Sequence, residues 1–245
     1  MKKTYVIAAA MLVTMGANAQ VMEKDIVKKE RMLHWGVEAG LTLNNLYHLQ
    51  DEFQTSNMLK VGGHGGVVAN IGSGRWAFQP GVRYIMKGAV ITTSSNTAIT
   101  HTETKSKLTF HYVEMPLNIV WSSGNWSSNR FQVGAGPYVA YLANAQDKYK
   151  VKTKSTVNVD DEPKVVSEGQ RQLEVGDPYK NNQLRNYDIG AGAFIGYQMA
   201  SGVYVKAGAE LGFLDLQKNN TLGKFYERNY NFLFTVGYMF GYKCK

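Results

Sequence analysis

From Lys107 to Tyr141 the chain alternates between apolar and polar positions, twice, around a polar turn. The run KLTFHYVEMPLNIVW puts Val113, Met115, Leu117, Ile119 and Trp121 on one face and Tyr112, Glu114, Pro116 and Asn118 on the other. After SSGNWSSN, the run RFQVGAGPYVAY sets Phe131, Val133, Ala135, Pro137, Val139 and Tyr141 against Gln132, Gly134, Gly136, Tyr138 and Ala140. A period of two marks strands with unlike faces. The same pattern predicts strands over Leu33–Leu43, Lys60–Ile71, Arg75–Thr92, Arg185–Met199, Val203–Leu216 and Arg228–Tyr242, which makes eight with the hairpin. The connections alternate in length. Gly72-Ser73-Gly74, SSGNWSSN and Ala200-Ser201-Gly202 are short turns. NNLYHLQDEFQTSNML, the Ser/Thr-rich loop Thr93–Ser106, the insertion Asn144–Leu184 and the loop Gln217–Glu227 are long. Within the insertion, KYKVKTKSTVNV and KVVSEGQRQLEV alternate weakly around Asp160-Asp161-Glu162-Pro163, which suggests a hairpin extending beyond the main sheet.

Alternation does not say which face points inward. A soluble barrel or sandwich would bury the apolar face; an outer-membrane barrel would turn it to lipid. Loop lengths alternate as in a membrane barrel, with short periplasmic turns and long extracellular loops. The second face is mostly glycine, small residues and charges, which suits the narrow interior of eight strands. Aromatic residues gather at strand ends, as expected where lipid meets water. Trp35, Trp76, Trp121, Trp126, Phe131, Tyr197, Phe240 and Tyr242 fall near the short turns; Tyr84, Tyr141, Tyr187, Phe213 and Tyr230 fall near the long loops. Each strand supplies roughly the nine to eleven residues that a tilted membrane strand needs. The expectation is therefore an all-β protein: an eight-stranded antiparallel up-and-down transmembrane β-barrel, closed because lipid satisfies no backbone groups. Pro80, Pro116 and Pro137 resist this reading, since proline removes a ladder donor. Bulges, or strand portions beyond the membrane, are the two accommodations open.

The N-terminus adds a destination. Lys2 and Lys3, an apolar stretch from Tyr5 to Met15 and Ala17-Asn18-Ala19 read as a secretory signal over residues 1–19. Residues 20–32 then form a charged periplasmic arm, and residues 33–242 the barrel. Removing the signal lowers the net charge from +8 to +6, as 25 basic residues remain against 19 acidic. A basic exported chain points to anionic lipid or glycan rather than nucleic acid. The single cysteine, Cys244, excludes an internal disulfide.

Several pieces, in this order, carry a family resemblance: GVEAGLTLNNL, FQPGVRYIMKGA, HYVEMPLNIVW, VGAGPYVAYL, DIGAGAFIGYQM, KAGAELGFLDL and FLFTVGYMF. Over essentially the whole mature length the chain resembles the PorT-like outer-membrane β-barrel family of Bacteroidota-type bacteria. The resemblance implies an eight-stranded outer-membrane barrel. Most members have no established activity, and the founding member assists protein secretion across the outer membrane. The tail GYKCK departs from members that stop at an aromatic residue.

Candidate chemistry sits on the polar face. Glu38, His64, Arg83, Lys87, Glu114, Asp188, Lys206 and Glu210 converge if the strands close, and buried charges must pair. A salt-bridge network filling the lumen is the structural reading; a polar pathway for solutes is the functional one. Eight strands leave room for little beyond side chains. A lipid-modifying enzyme would need a histidine, a serine and a carboxylate together; the candidates are His48 and Asp51 with Ser94, Ser95 or His101, and their spacing does not single them out. The scattered histidines and the Asp160-Asp161-Glu162 tip lack ligand spacing, so no metal or other cofactor is expected. Gly62 to Gly66 (GGHGG) precedes no helix and is not a phosphate loop. Lys148, Lys150, Lys152 and Lys154 form an alternating basic row that is either a solvated strand face or a contact for lipopolysaccharide phosphates. The expected role is a non-enzymatic structural or interaction protein, or a scaffold for envelope or secretion proteins, in contact with outer-membrane lipid and lipopolysaccharide. A lipid-modifying enzyme and a small-solute channel are the alternatives.

Overall fold

The computed structural model describes residues 32–48, 55–96, 100–124, 128–155, 164–176, 184–216 and 227–241. The signal segment, Asp51, Trp126, the Asp160-Asp161-Glu162 tip, Tyr242 and Cys244 lie outside these. So does the arm except Met32, which opens the first strand. In chain order the strands are β1 (Met32–His48), β2 (Thr55–Met58), β3 (Lys60–Ser73), β4 (Trp76–Lys87), β5 (Val90–Asn96), β6 (Thr100–Ser122), β7 (Arg130–Ser155), β8 (Lys164–Gln172), β9 (Val175–Gly176), β10 (Leu184–Arg185), β11 (Tyr187–Gln198), β12 (Val203–Gly212) and β13 (Glu227–Met239).

Eight of them close a ring of antiparallel neighbours in the order β1, β3, β4, β6, β7, β11, β12, β13 and back to β1. Cross-strand partners can be followed once round the wall. Leu33 pairs with Ile71, then Phe78, Ile119, Ala135, Ala193, Ala209 and Phe232, and the path returns to Leu43, ten positions from its start. A stagger of that size tilts eight strands by about 40° and leaves an interior that side chains fill. Every residue on this path is of outward type, so the apolar face is the outside. Leu33, Leu41, Ile119, Val133, Ile195, Phe234 and Val236 are exposed.

The connections divide by end. Gly74-Arg75, residues 123–129 and Met199–Gly202 join strands at one end, and the wall's first and last strands meet there, Gly36 opposite Met239. Gly74 and Gly202 have φ of 71° and 95°, the left-handed region that glycine enters without strain. Residues 49–59, 88–99, 156–186 and 213–226 join strands at the other end.

Three differences from the sequence reading have physical causes. Thr93–Ser106 is not a loop: β5 and the first part of β6 form a hairpin there, Val90 opposite Lys107 through Asn96 opposite His101. The β6–β7 ladder runs on to Thr100 opposite Ser155, β8 adds along β7, and β2 adds along β5. The predicted hairpin within the insertion thus belongs to a five-stranded extension that continues the barrel wall. Second, β13 ends at Met239, short of Tyr242; Phe240 still donates to Trp35 O at 2.7 Å before Gly241 turns with φ of 90°. Third, the prolines produce neither bulges nor shifts. Pairing resumes in the same register after two-residue gaps: Val68–Gly81 to Ile71–Phe78, Pro80–Leu117 to Arg83–Glu114, and Pro116–Tyr138 to Ile119–Ala135. The β6–β7 irregularity lies elsewhere, between His111 and Tyr112, where Ala143 is the extra residue on β7.

Candidate functional site

Period-two geometry sends Glu38, His64, Arg83, Lys87, Glu114, Asp188, Lys206 and Glu210 to the inside of the ring from six strands. Arg83 and Glu114 are cross-strand partners. The Arg83 guanidinium donates through Nε to Glu114 Oε1 at 3.0 Å and through its Nη2 to both Glu114 and Glu210. Lys87 Nζ lies 2.7 Å from the other Glu114 oxygen and 3.9 Å from Asp188. Lys206 Nζ donates to Glu38 at 3.1 Å and to Gln79 at 2.9 Å. His64 Nε2 sits 3.0 Å from Thr235 Oγ1. The structure brings these eight into one cluster, where three cations meet four carboxylates. Such matching is what burial requires, because an uncompensated buried charge costs several kcal/mol.

Aromatic rings complete this interior, and their parts were not foreseen. Tyr204 donates to Glu38 at 3.0 Å and Tyr138 to Asp188 at 3.1 Å. Lys87 Nζ lies 4.3 Å from the Tyr138 ring centre and 5.3 Å from that of Tyr112; Lys206 Nζ lies 4.6 Å from Tyr204 and 4.8 Å from Phe194. Cation–π contact is strongest where water is excluded, as here. The facing glycines make room: a Cβ on Gly237 would stand 2.2 Å from the Tyr204 ring, and one on Gly134 2.4 Å from Phe194. Tyrosine at alternating positions of a polar face was the available signal, masked because tyrosine also suits the outer belt.

Above and below, other groups close the bore. Towards the short turns, Arg130 donates to Gln198 at 2.6 Å and Gln132 to the same oxygen at 2.9 Å, beside the cluster Val68, Tyr204 and Met239. Towards the long loops, Leu46, Ile85, Phe110, Leu142 and Leu216 form an apolar plug. The cavity among Glu38, Gln79, Arg83, Phe194, Lys206 and Glu210 is about 40 Å³, room for a few waters.

The belt candidates all point outward. Trp35, Trp76, Phe131, Tyr84, Tyr141, Tyr187 and Phe213 are exposed, and Trp121, Tyr197 and Tyr230 are half-buried. The register joins them: Trp76 opposes Trp121, Phe131 opposes Tyr197 with rings 5.0 Å apart, and Tyr84, Val113, Tyr141 and Tyr187 share one row. Trp35 stacks on Phe240 at 4.2 Å. Of the enzyme candidates, Asp51 lies outside the described residues and His101 lies in β6. His48 ends β1, while Ser94 and Ser95 are adjacent strand residues and so take opposite faces of β5. Among the described residues no group of three His, Cys, Asp or Glu side chains could hold a metal ion.

A closed antiparallel ring with an apolar outside and a charged, filled inside defines an outer-membrane β-barrel. The sequence matches the family model of the outer membrane protein beta-barrel domain over residues 18–218, and the chain belongs to that family. It is a bacterial outer-membrane protein. Similar solved structures include Ail, the attachment invasion locus protein of Yersinia pestis, in complex with the heparin analogue sucrose octasulfate. That likeness has 10% identity, covers 85% of this chain and 99% of Ail, and has a TM-score of 0.40. Neisserial surface protein A is similar at 11% identity, with 83% and 96% covered and a TM-score of 0.35. OprG from Pseudomonas aeruginosa follows at 8% identity, with 88% and 99% covered and a TM-score of 0.38. No curated protein sequence matches this chain. At these identities and scores the family assignment rests on the family model.

Proposed function

We propose that this outer-membrane barrel is a non-enzymatic structural or interaction protein, a rigid stem that holds an extracellular sheet outside the membrane. The short turns face the periplasm, the long loops face outward, and the two groups of aromatic residues sit at the two lipid–water boundaries. The eight lumenal ionisable residues act as a structural plug. The PorT-like sequence pieces favour a scaffold for envelope or secretion proteins as the specific role.

The observation that carries this reading is the filled lumen. A channel needs a continuous polar path, whereas here an ion-paired cluster is sandwiched between an amide layer and an apolar plug, with about 40 Å³ left among the charges. The test is planar-bilayer recording on the folded protein, its folding first established by heat-modifiable gel migration. No steady conductance is expected; stable ohmic conductance would overturn the plug and favour the channel.

A further inference from the structure

The two longest strands, β6 and β7, carry one continuous outward face from the membrane into the extension, and its chemistry changes in steps. On β6, residues of odd number point outward throughout: Ile119, Met115 and Val113, then His111 and Thr109, then Lys107, Lys105, Glu103 and His101. On β7 the extra residue Ala143 switches the outward set from odd to even numbers. Without that switch Asp147 would point out; instead it is fully buried, and the lysines face outward. The resulting rungs read Val113–Tyr141, His111–Asn144, Thr109–Gln146, Lys107–Lys148, Lys105–Lys150, Glu103–Lys152 and His101–Lys154. β8 extends the neutral rungs with amides, Gln172 donating to Asn144 at 3.1 Å and Gln170 to Gln146 at 3.0 Å.

The order is apolar, then neutral hydrogen-bonding, then cationic. Six lysines share the upper face with two acids: Glu168, 3.1 Å from Lys150, and Glu103, opposite Lys152. Lys105, Lys107, Lys148, Lys150 and Lys152 are exposed and Lys154 half-buried. Lys107 stands six residues above Val113, about 20 Å along the strand and about 15 Å above that row at the tilt of about 40°. This side faces sideways over the surrounding leaflet, because it is the side that meets acyl chains lower down.

We infer that this outward face of β6 and β7 is a binding wall for the phosphorylated headgroup and inner core of lipopolysaccharide, with Lys107, Lys148, Lys105 and Lys150 contacting phosphates and the amide rungs contacting sugars. The inference rests on the orientation proposed above. Its occupant follows from position and charge: a lateral cationic face above a membrane meets the anionic groups of that membrane's own lipid first. The ladder of like charges, Lys107 against Lys148 and Lys105 against Lys150, is unfavourable by itself and is relieved by an anion bridging the pair.

The test uses folded protein in detergent, with gel migration confirming folding, and three probes: purified lipopolysaccharide, the same material enzymatically dephosphorylated, and dextran sulfate. Removing the phosphates is expected to weaken binding about tenfold or more, and the Lys105→Gln/Lys107→Gln/Lys148→Gln/Lys150→Gln variant by a similar factor. The wild-type comparison of the first two probes stands even if that variant does not fold. Equal binding of dephosphorylated material, unchanged binding by the folded variant, or tighter lysine-dependent binding of dextran sulfate than of lipopolysaccharide would each overturn the inference. Conductance in the bilayer recording would instead count against the plug, so the two readings fail separately.

Discussion

Charge is handled in opposite ways in two regions of this wall. Inside the ring, Arg83, Lys87 and Lys206 are matched to Glu38, Glu114, Asp188 and Glu210, and each cation is within 4 Å of a carboxylate. On the outer face of the extension, six lysines stand with two acids, and Lys faces Lys across the β6–β7 pair on two successive rungs. The difference is the solvent. A buried charge must be neutralised locally or the fold pays several kcal/mol, while an exposed lysine is screened by water and salt and can stay unmatched. Matched charge therefore reports on what holds the barrel, and unmatched charge on what the barrel meets.

Breaking the matched side is expected to have the largest effect. Arg83→Ala leaves Glu114 with Lys87 and takes away the guanidinium that contacts Glu210, so it should lower unfolding stability by about 3–5 kcal/mol, read by urea titration in lipid vesicles. Filling the space reserved for a ring comes next. Gly237→Ala sets a Cβ against Tyr204, which is held by Glu38 and cannot swing away freely, and should cost about 1–3 kcal/mol in the same titration. The exposed side should respond least. A double-mutant cycle on Lys150 and Glu168, both about half exposed, should give a coupling within about 1 kcal/mol that fades in high salt.

The barrel wall was legible because each of its strands has one greasy and one polar face, so a one-residue slip would be visible as the wrong residues pointing to lipid. Loop asymmetry is the basis of the proposed assignment of the two ends. The extension was illegible for the converse reason: both of its faces are polar around residues 93–106, so the alternation that defines a strand vanishes. Thr92, Thr93, Thr100, Thr102 and Thr104 were the remaining hint, since β-branched residues suit strands. The lumenal charges could be assigned to the inside from parity alone. Pairs such as Glu38 and Lys206 could not be assigned, because they come from strands that are not neighbours and depend on the ten-residue stagger. Gly237 and Tyr204, and Gly134 and Phe194, are by contrast direct cross-strand partners on neighbouring strands, so these pairs depend only on local register. In the sequence those glycines suit a narrow bore; in the structure they are seats for particular rings. The reversal of parity at Ala143 hid the apolar plug, since Leu142 and Ala145 seem to belong to different faces and are both buried.

The central claim is that the buried ion cluster works as a unit in holding the barrel. A double-mutant cycle between Arg83→Ala and Glu114→Ala tests it most directly, with unfolding followed in lipid vesicles at low and high salt. The account predicts a coupling of about 1–3 kcal/mol that salt does not erode. Additive single effects, or a coupling that disappears in high salt, would contradict it.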